Sequence, residues 1–157
     1  MRKITLLIIH CSATPEGKDY TVEDIDRWHK ARGWKGIGYH YVIYRDGSVH
    51  AGRPEADVGA HCQNHNQHSL GICYIGGLRY TNTSNSSNKG TLVPADTRTP
   101  AQKTALMQLL KRLKQKYSDA SSNQDRSGES LPLILGHNVF ANKACPCFDA
   151  ATEYRDL

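Results

Sequence analysis

Two histidines and a thiol, His10, His137 and Cys145, are the residue types that bind a transition metal, although most of the chain separates the first from the other two. Each histidine stands at the downstream end of a short apolar run, "ITLLIIHC" or "LPLILGH". Open α/β sheets place their sites at the carboxyl ends of strands. Taken singly, each histidine is better explained by a hydrogen bond inside a core. Together with Cys145, eight residues after His137, they make a mixed nitrogen and sulfur set that zinc accepts, at bond lengths of roughly 2.0 to 2.3 Å. Three protein donors leave a fourth position open to water, whose pKa falls to about 7 on such a metal. Lys143, in "NKACPCFD", reads as a solvated loop lysine on its own. Beside a hydrolytic metal, the same ammonium stabilises a developing oxyanion.

Other assignments compete for these residues. A disulfide between Cys145 and Cys147 would close a very small ring across a proline of fixed φ, so the one-thiolate reading is better. A metal pair using both thiols is unusual beside two distant histidines. A Cys145 nucleophile with His137 as its base is the enzymatic alternative to a metal. The stretch "HCQNHNQH" gathers His61, Cys62, His65 and His68, yet no second pair follows at finger spacing. It reads better as a polar, groove-lining loop, with His61 as a candidate substrate contact.

The elements that must position these residues follow from pattern. "ITLLIIHC" and "SLGICYIGG" are short, continuously apolar and read as buried strands, as does "LPLILGH" near the end. "TVEDIDRWHKARG" predicts a helix capped by Thr21 and Asp24, with Val22, Ile25, Trp28 and Arg32 on one face and Gly33 at its end. "YHYVIYRDGSVHAG" predicts a hairpin around Asp46-Gly47. Alternation along it puts Tyr39, Tyr41 and Ile43 on one side, with His40, Val42 and Tyr44 on the other. "TPAQKTALMQLLKRLKQKY" predicts a second helix: Thr99 caps, Pro100 opens, Gln102 completes a capping box, and Leu106, Leu109, Leu110, Leu113 and Tyr117 share a stripe. Polar loops are expected at about 79–98 and 118–130. The expected whole is a single α/β (α+β) domain over residues 1–157, a central mixed sheet of about five strands flanked by helices.

Composition narrows the class. The 157 residues are 38% hydrophobic and 22% charged with a formal charge of +5, which fits one globular domain. No apolar run reaches the roughly 20 residues of a membrane span, so no membrane insertion is expected. The positive excess is thinly spread, and no nucleic-acid partner is expected. Five cysteines, an odd number, do not form a secreted disulfide framework. The start "MRKITLLII" is too short and too interrupted for a signal peptide and reads as the first strand. Synthesis in the cytoplasm and a monomeric state are expected.

With these features in order, "IIHCSAT", "GYHYVIYRDGSVHAGR", "VGAHCQNHNQHSLGICYIGG", "TPAQ" and "GHNVFANKACPCFD" together resemble a zinc amidase family. It comprises type 2 N-acetylmuramoyl-L-alanine amidases, phage lysozymes and peptidoglycan recognition proteins. The resemblance spans nearly the whole chain outside the two polar loops. It implies hydrolysis of the amide between N-acetylmuramic acid and L-alanine in peptidoglycan, with Zn2+ held by His10, His137 and Cys145. It also implies catalytic roles for Tyr39, beside the metal water, and Lys143. With all five positions filled, a non-catalytic peptidoglycan-binding module is the disfavoured alternative. Inhibition of an RNA polymerase, a property of a phage relative, is not carried by these motifs. Action on the cell wall after holin-type release, or recycling of imported muropeptides, would bring a cytoplasmic chain to its substrate. Cys147 replaces a small polar residue of the phage lysozymes and has no implied role.

Overall fold

The computed structural model describes residues 2–81, 90–118 and 131–157. Its centre is a five-stranded sheet in the order β4-β3-β5-β1-β8. Strand β1 (Leu6–Cys11) lies between β5 (Ser69–Tyr74) and β8 (Leu133–Gly136), parallel to both. A strand paired on both edges and covered on both faces has no wet side, which is why its sequence is continuously apolar rather than alternating. The predicted hairpin forms β3 (Tyr41–Ile43) and β4 (Val49–Ala51) at one edge. Its turn is fixed by Asp46, whose Oδ1 accepts the Ser48 N–H at 2.8 Å, and by Gly47 at φ +87°.

Helices cover the two faces. Helix α2 (Pro100–Tyr117) packs Leu106, Leu109, Leu110 and Leu113 on Leu7, Ile9, Ile43, Leu70, Ile72 and Tyr74. Its N-terminus is seated on the sheet: Thr99 and Gln102 form the expected capping box, and the fully buried Gln102 Nε2 donates to the Ile43 and Ile75 carbonyls. Helix α1 (Val22–Ala31) carries the Thr21 and Asp24 box and packs Ile25 with Ile37, Val42 and Ile75, flanked by Val22 and Trp28. Arg32 is its C-cap rather than a member of the apolar stripe. No helix among the described residues is long and apolar enough to cross a membrane.

Two expectations need correction. The alternation assigned to 39–44 breaks before β3: Tyr39 packs with Val42 and Tyr44, while Tyr41 and Ile43 face α2. The strand begins only at Tyr41, and period 2 holds only where the backbone is pleated. The expected polar loop at 79–98 contains the end of β6 (Gly77–Tyr80) and all of β7 (Leu92–Pro94), which with β2 (Thr14–Pro15) form a small second sheet in the order β2-β6-β7. Strands of two to four residues with polar or proline content leave no readable period. The polar stretch 82–89 between them, and 119–130 of the second predicted loop, lie outside the described residues. A last short helix, α3 (Ala150–Glu153), is capped by Asp149 and was also not anticipated.

Candidate active site

His10 is the penultimate residue of β1 and is 1% exposed. Alternation puts it on the same side as Leu6 and Ile8, away from α2, while its neighbour Cys11 joins the α2 core. Strand β8 ends beside it, and His137 follows directly in a short 3-10 turn, His137–Val139. Parallel pairing of β1 with β8 therefore brings the two imidazoles together, with ring centroids 4.6 Å apart. The following loop returns across the end of β1. There the Cys145 Sγ sits 3.8 Å from His10 Nδ1 and accepts the Cys11 backbone N–H at 3.2 Å. One donor atom from each of His10, His137 and Cys145 lies within 4.8 Å of the others, and this is the one such group of three among the described residues.

The donors suit a single metal ion in type and spacing. Burial holds the His10 pKa well below its ordinary value, with the neighbouring His61 and His137 adding to the effect. Burial and then the Lys143 charge lower that of His137. Both rings are consequently neutral at physiological pH, the form that ligates. Behind His10, its Nε2 meets His61 Nδ1 at 2.9 Å, and His61 Nε2 meets Ser69 Oγ at 3.1 Å. This chain can fix the tautomers. A proton on His10 Nε2, given to His61 Nδ1, leaves His10 Nδ1 free as a ligand atom, and His61 then carries its own proton toward Ser69. Gly71 makes room for the relay, since a Cβ there would stand 2.5 Å from the His61 ring.

His61, the candidate substrate contact, lines a cavity while remaining 9% exposed, with both ring nitrogens engaged by protein. Burial pushes its pKa down to about 3. Its neighbours do not form the rival metal cluster: Cys62 packs with Leu6 and Ile8, and His65 lies against Phe140. The "HCQNHNQH" loop instead walls a cavity of about 550 Å³, together with Trp34, His137, Phe140 and Lys143. Trp34 and Phe140 carried no sequence signal as cavity residues, because an isolated aromatic gives no period.

Tyr39 stands beside the donor group, 5.0 Å ring to ring from His10 and 5.4 Å from His29. Desolvation, then the nearby Cys73 thiol, raises its pKa well above the ordinary phenol, so it is a hydrogen-bond donor and not a base. His29 braces it from behind, with Nδ1 accepting the Gly38 N–H at 2.8 Å. Lys143 is exposed, and its ammonium has no ion pair among the described residues. A cation free to meet an anion stands with a half-buried imidazole, His137, on one cavity wall, and the buried His10 and the Cys145 thiol complete beside them a donor group fitted to one metal ion.

Comparison with known proteins gives the same class a family. The family profile described as N-acetylmuramoyl-L-alanine amidase matches residues 1–148. An endolysin of Klebsiella phage KP32 is 39% identical over 91% of this chain and 80% of its own length. Peptidoglycan-recognition protein SC2 of Drosophila melanogaster is 33% identical over 85% of this chain and 60% of its own. Among solved structures, an N-acetylmuramoyl-L-alanine amidase, LysC from Clostridium intestinale, superposes with a TM-score of 0.71 at 27% identity, covering 97% of this chain and 82% of that one. The chain belongs to the N-acetylmuramoyl-L-alanine amidase family and is an enzyme of that class.

Proposed function

We propose that the chain cleaves the amide between N-acetylmuramic acid and L-alanine, with zinc held by His10, His137 and Cys145. The convergence of those three donors within 4.8 Å, with His137 also lining the cavity that Lys143 borders, carries the reading. The chemistry a bound zinc supplies is Lewis acidity toward a carbonyl oxygen and activation of water near neutral pH. The protein's own groups do the rest. Lys143 projects an unpaired positive charge where the lactyl carbonyl oxygen becomes negative, and it costs no rearrangement at that moment. The Tyr39 hydroxyl stays protonated and donates a hydrogen bond that orients water or the tetrahedral oxygen. His61 and Ser69 hold the His10 ring and tautomer. Trp34 and Phe140 offer apolar walls to a glycan or peptide, so the ligand is peptidoglycan or a muropeptide. In a phage setting the chain reaches the wall after holin-type release.

Metal content and product masses, measured on one preparation digesting purified peptidoglycan, test this directly. The expected result is one zinc per chain, products bearing a free L-alanine amino terminus, activity lost to a chelator and zinc restoring it. Activity that survives chelation would move the chemistry to a Cys145 thiol with His137 as base. Binding without new amino termini would make the domain a receptor.

A further inference from the structure

Cys147 takes no part in the donor group, yet it is not idle in the fold. Successive residues of β1 point to opposite sides, so His10 and Cys11 face different ways. The "CPC" loop crosses the end of that strand and serves both sides. Cys145 Sγ lies 3.8 Å from His10 Nδ1, and Cys147 Sγ lies 3.9 Å from Cys11 Sγ. Cys147 holds this position in a left-handed conformation, φ +71°, with its N–H bonded to the Ala144 carbonyl at 2.6 Å. Left-handed backbone is unfavourable for a side chain of this kind and persists where the surroundings enforce it.

We propose that Cys11 and Cys147 are a disulfide-forming pair, oxidised by a small-molecule disulfide, and that their bridge spares Cys145 for the metal. The sulfurs must close from 3.9 Å to a covalent length of about 2.05 Å, a movement that side-chain rotation supplies. Cys145 also neighbours the Cys11 thiol, but it is engaged with His10. Cys62 packs with Leu6 and Ile8, the Cys73 S–H points to the Tyr74 carbonyl, and Cys145 is occupied by His10 and the Cys11 N–H. Cys147, the more exposed of the two, attacks first. Its thiolate displaces one thiolate from the small disulfide and forms a mixed disulfide. The Cys11 thiolate then attacks the Cys147 sulfur and expels the second. The protein thiols lose two electrons and two protons, and the small disulfide becomes two thiols. The product ties the strand carrying His10 to the loop carrying Lys143 and Cys145, so the site stays assembled when metal is scarce. A cell-wall location, where such oxidants are met, rests on the proposed function; the thiol chemistry does not.

Zinc-loaded protein treated with oxidised glutathione, then denatured, alkylated and digested with trypsin without reduction, tests the pairing. The expected species joins peptide 4–18 to peptide 144–155, with zinc retained and a thermal midpoint raised on the order of 10 °C. The link survives in Cys145→Ser and vanishes in Cys147→Ser. A link that persists in Cys147→Ser, a glutathione adduct without a link, or zinc loss on oxidation would overturn the proposal. Peptidoglycan hydrolysis by the same preparation before oxidation reports separately on the proposed function.

Discussion

The site has two halves built by opposite means. The strand half, His10 on β1 with His61 and the first residue of β5, Ser69, behind it, belongs to the interior of a mixed sheet, buried and hydrogen-bonded at both rings. The loop half, His137, Lys143 and Cys145, hangs from a 3-10 turn and a loop, partly or fully exposed. Rigid sheet positions one candidate donor; the loop supplies the exposed charge, the thiol and the second imidazole. A division of this kind predicts that loss of the exposed Lys143 falls on chemistry with little cost in stability, while loss of the buried His61 behind His10 falls on metal affinity.

Lys143→Ala is the sharpest way to break that contrast. Loss of a donor to a developing oxyanion costs roughly 100- to 1,000-fold in kcat. The stability of this exposed position should move by less than about 0.5 kcal/mol in urea unfolding. A large loss of stability would mean that the loop half is structural as well. His61→Ala comes next. Removing the hydrogen-bond partner of a ligating histidine lowers metal affinity roughly 10- to 100-fold, read by competition with a chelating dye. His61→Gln keeps an acceptor and a donor and should recover part of the loss; equal loss in both variants would point to packing rather than tautomer control.

The smallest effect concerns the support behind Tyr39. Burial, then Arg32 and Arg53, pushes the His29 pKa down to about 4 from 6.5. The folded state therefore binds fewer protons than the unfolded one. The stability this histidine contributes is complete above about pH 6.5 and is lost as pH falls toward 4. At about pH 5 the loss is on the order of 2 kcal/mol from this group alone. Denaturant unfolding across that range checks it, and His29→Gln should flatten the slope. An unchanged slope would assign the acid sensitivity to other groups.

Much of the architecture is legible in local pattern. The apolar runs of β1, β5 and β8, the hairpin turn at Asp46-Gly47 and both capping boxes are recovered with their residues, because each rests on contacts within a few residues or on burial of a whole segment. The small second sheet is not, since strands as short as Thr14–Pro15 owe their existence to their partners. The face assignment of Tyr39 fails for the related reason that a period read from sequence does not say where the pleat starts.

By itself, the sequence determined the donor types, their order at strand ends and the spacing from His137 to Cys145, which is enough to expect a mixed imidazole and thiolate centre. Only the tertiary structure decided that parallel pairing of β1 with β8 makes neighbours of His10 and His137. It also turned His61 inward as the partner of His10, and set Cys147 against Cys11 instead of beside the metal donors. These are choices about which distant segments meet and which way a side chain faces when they do. Local propensity carries no information on either.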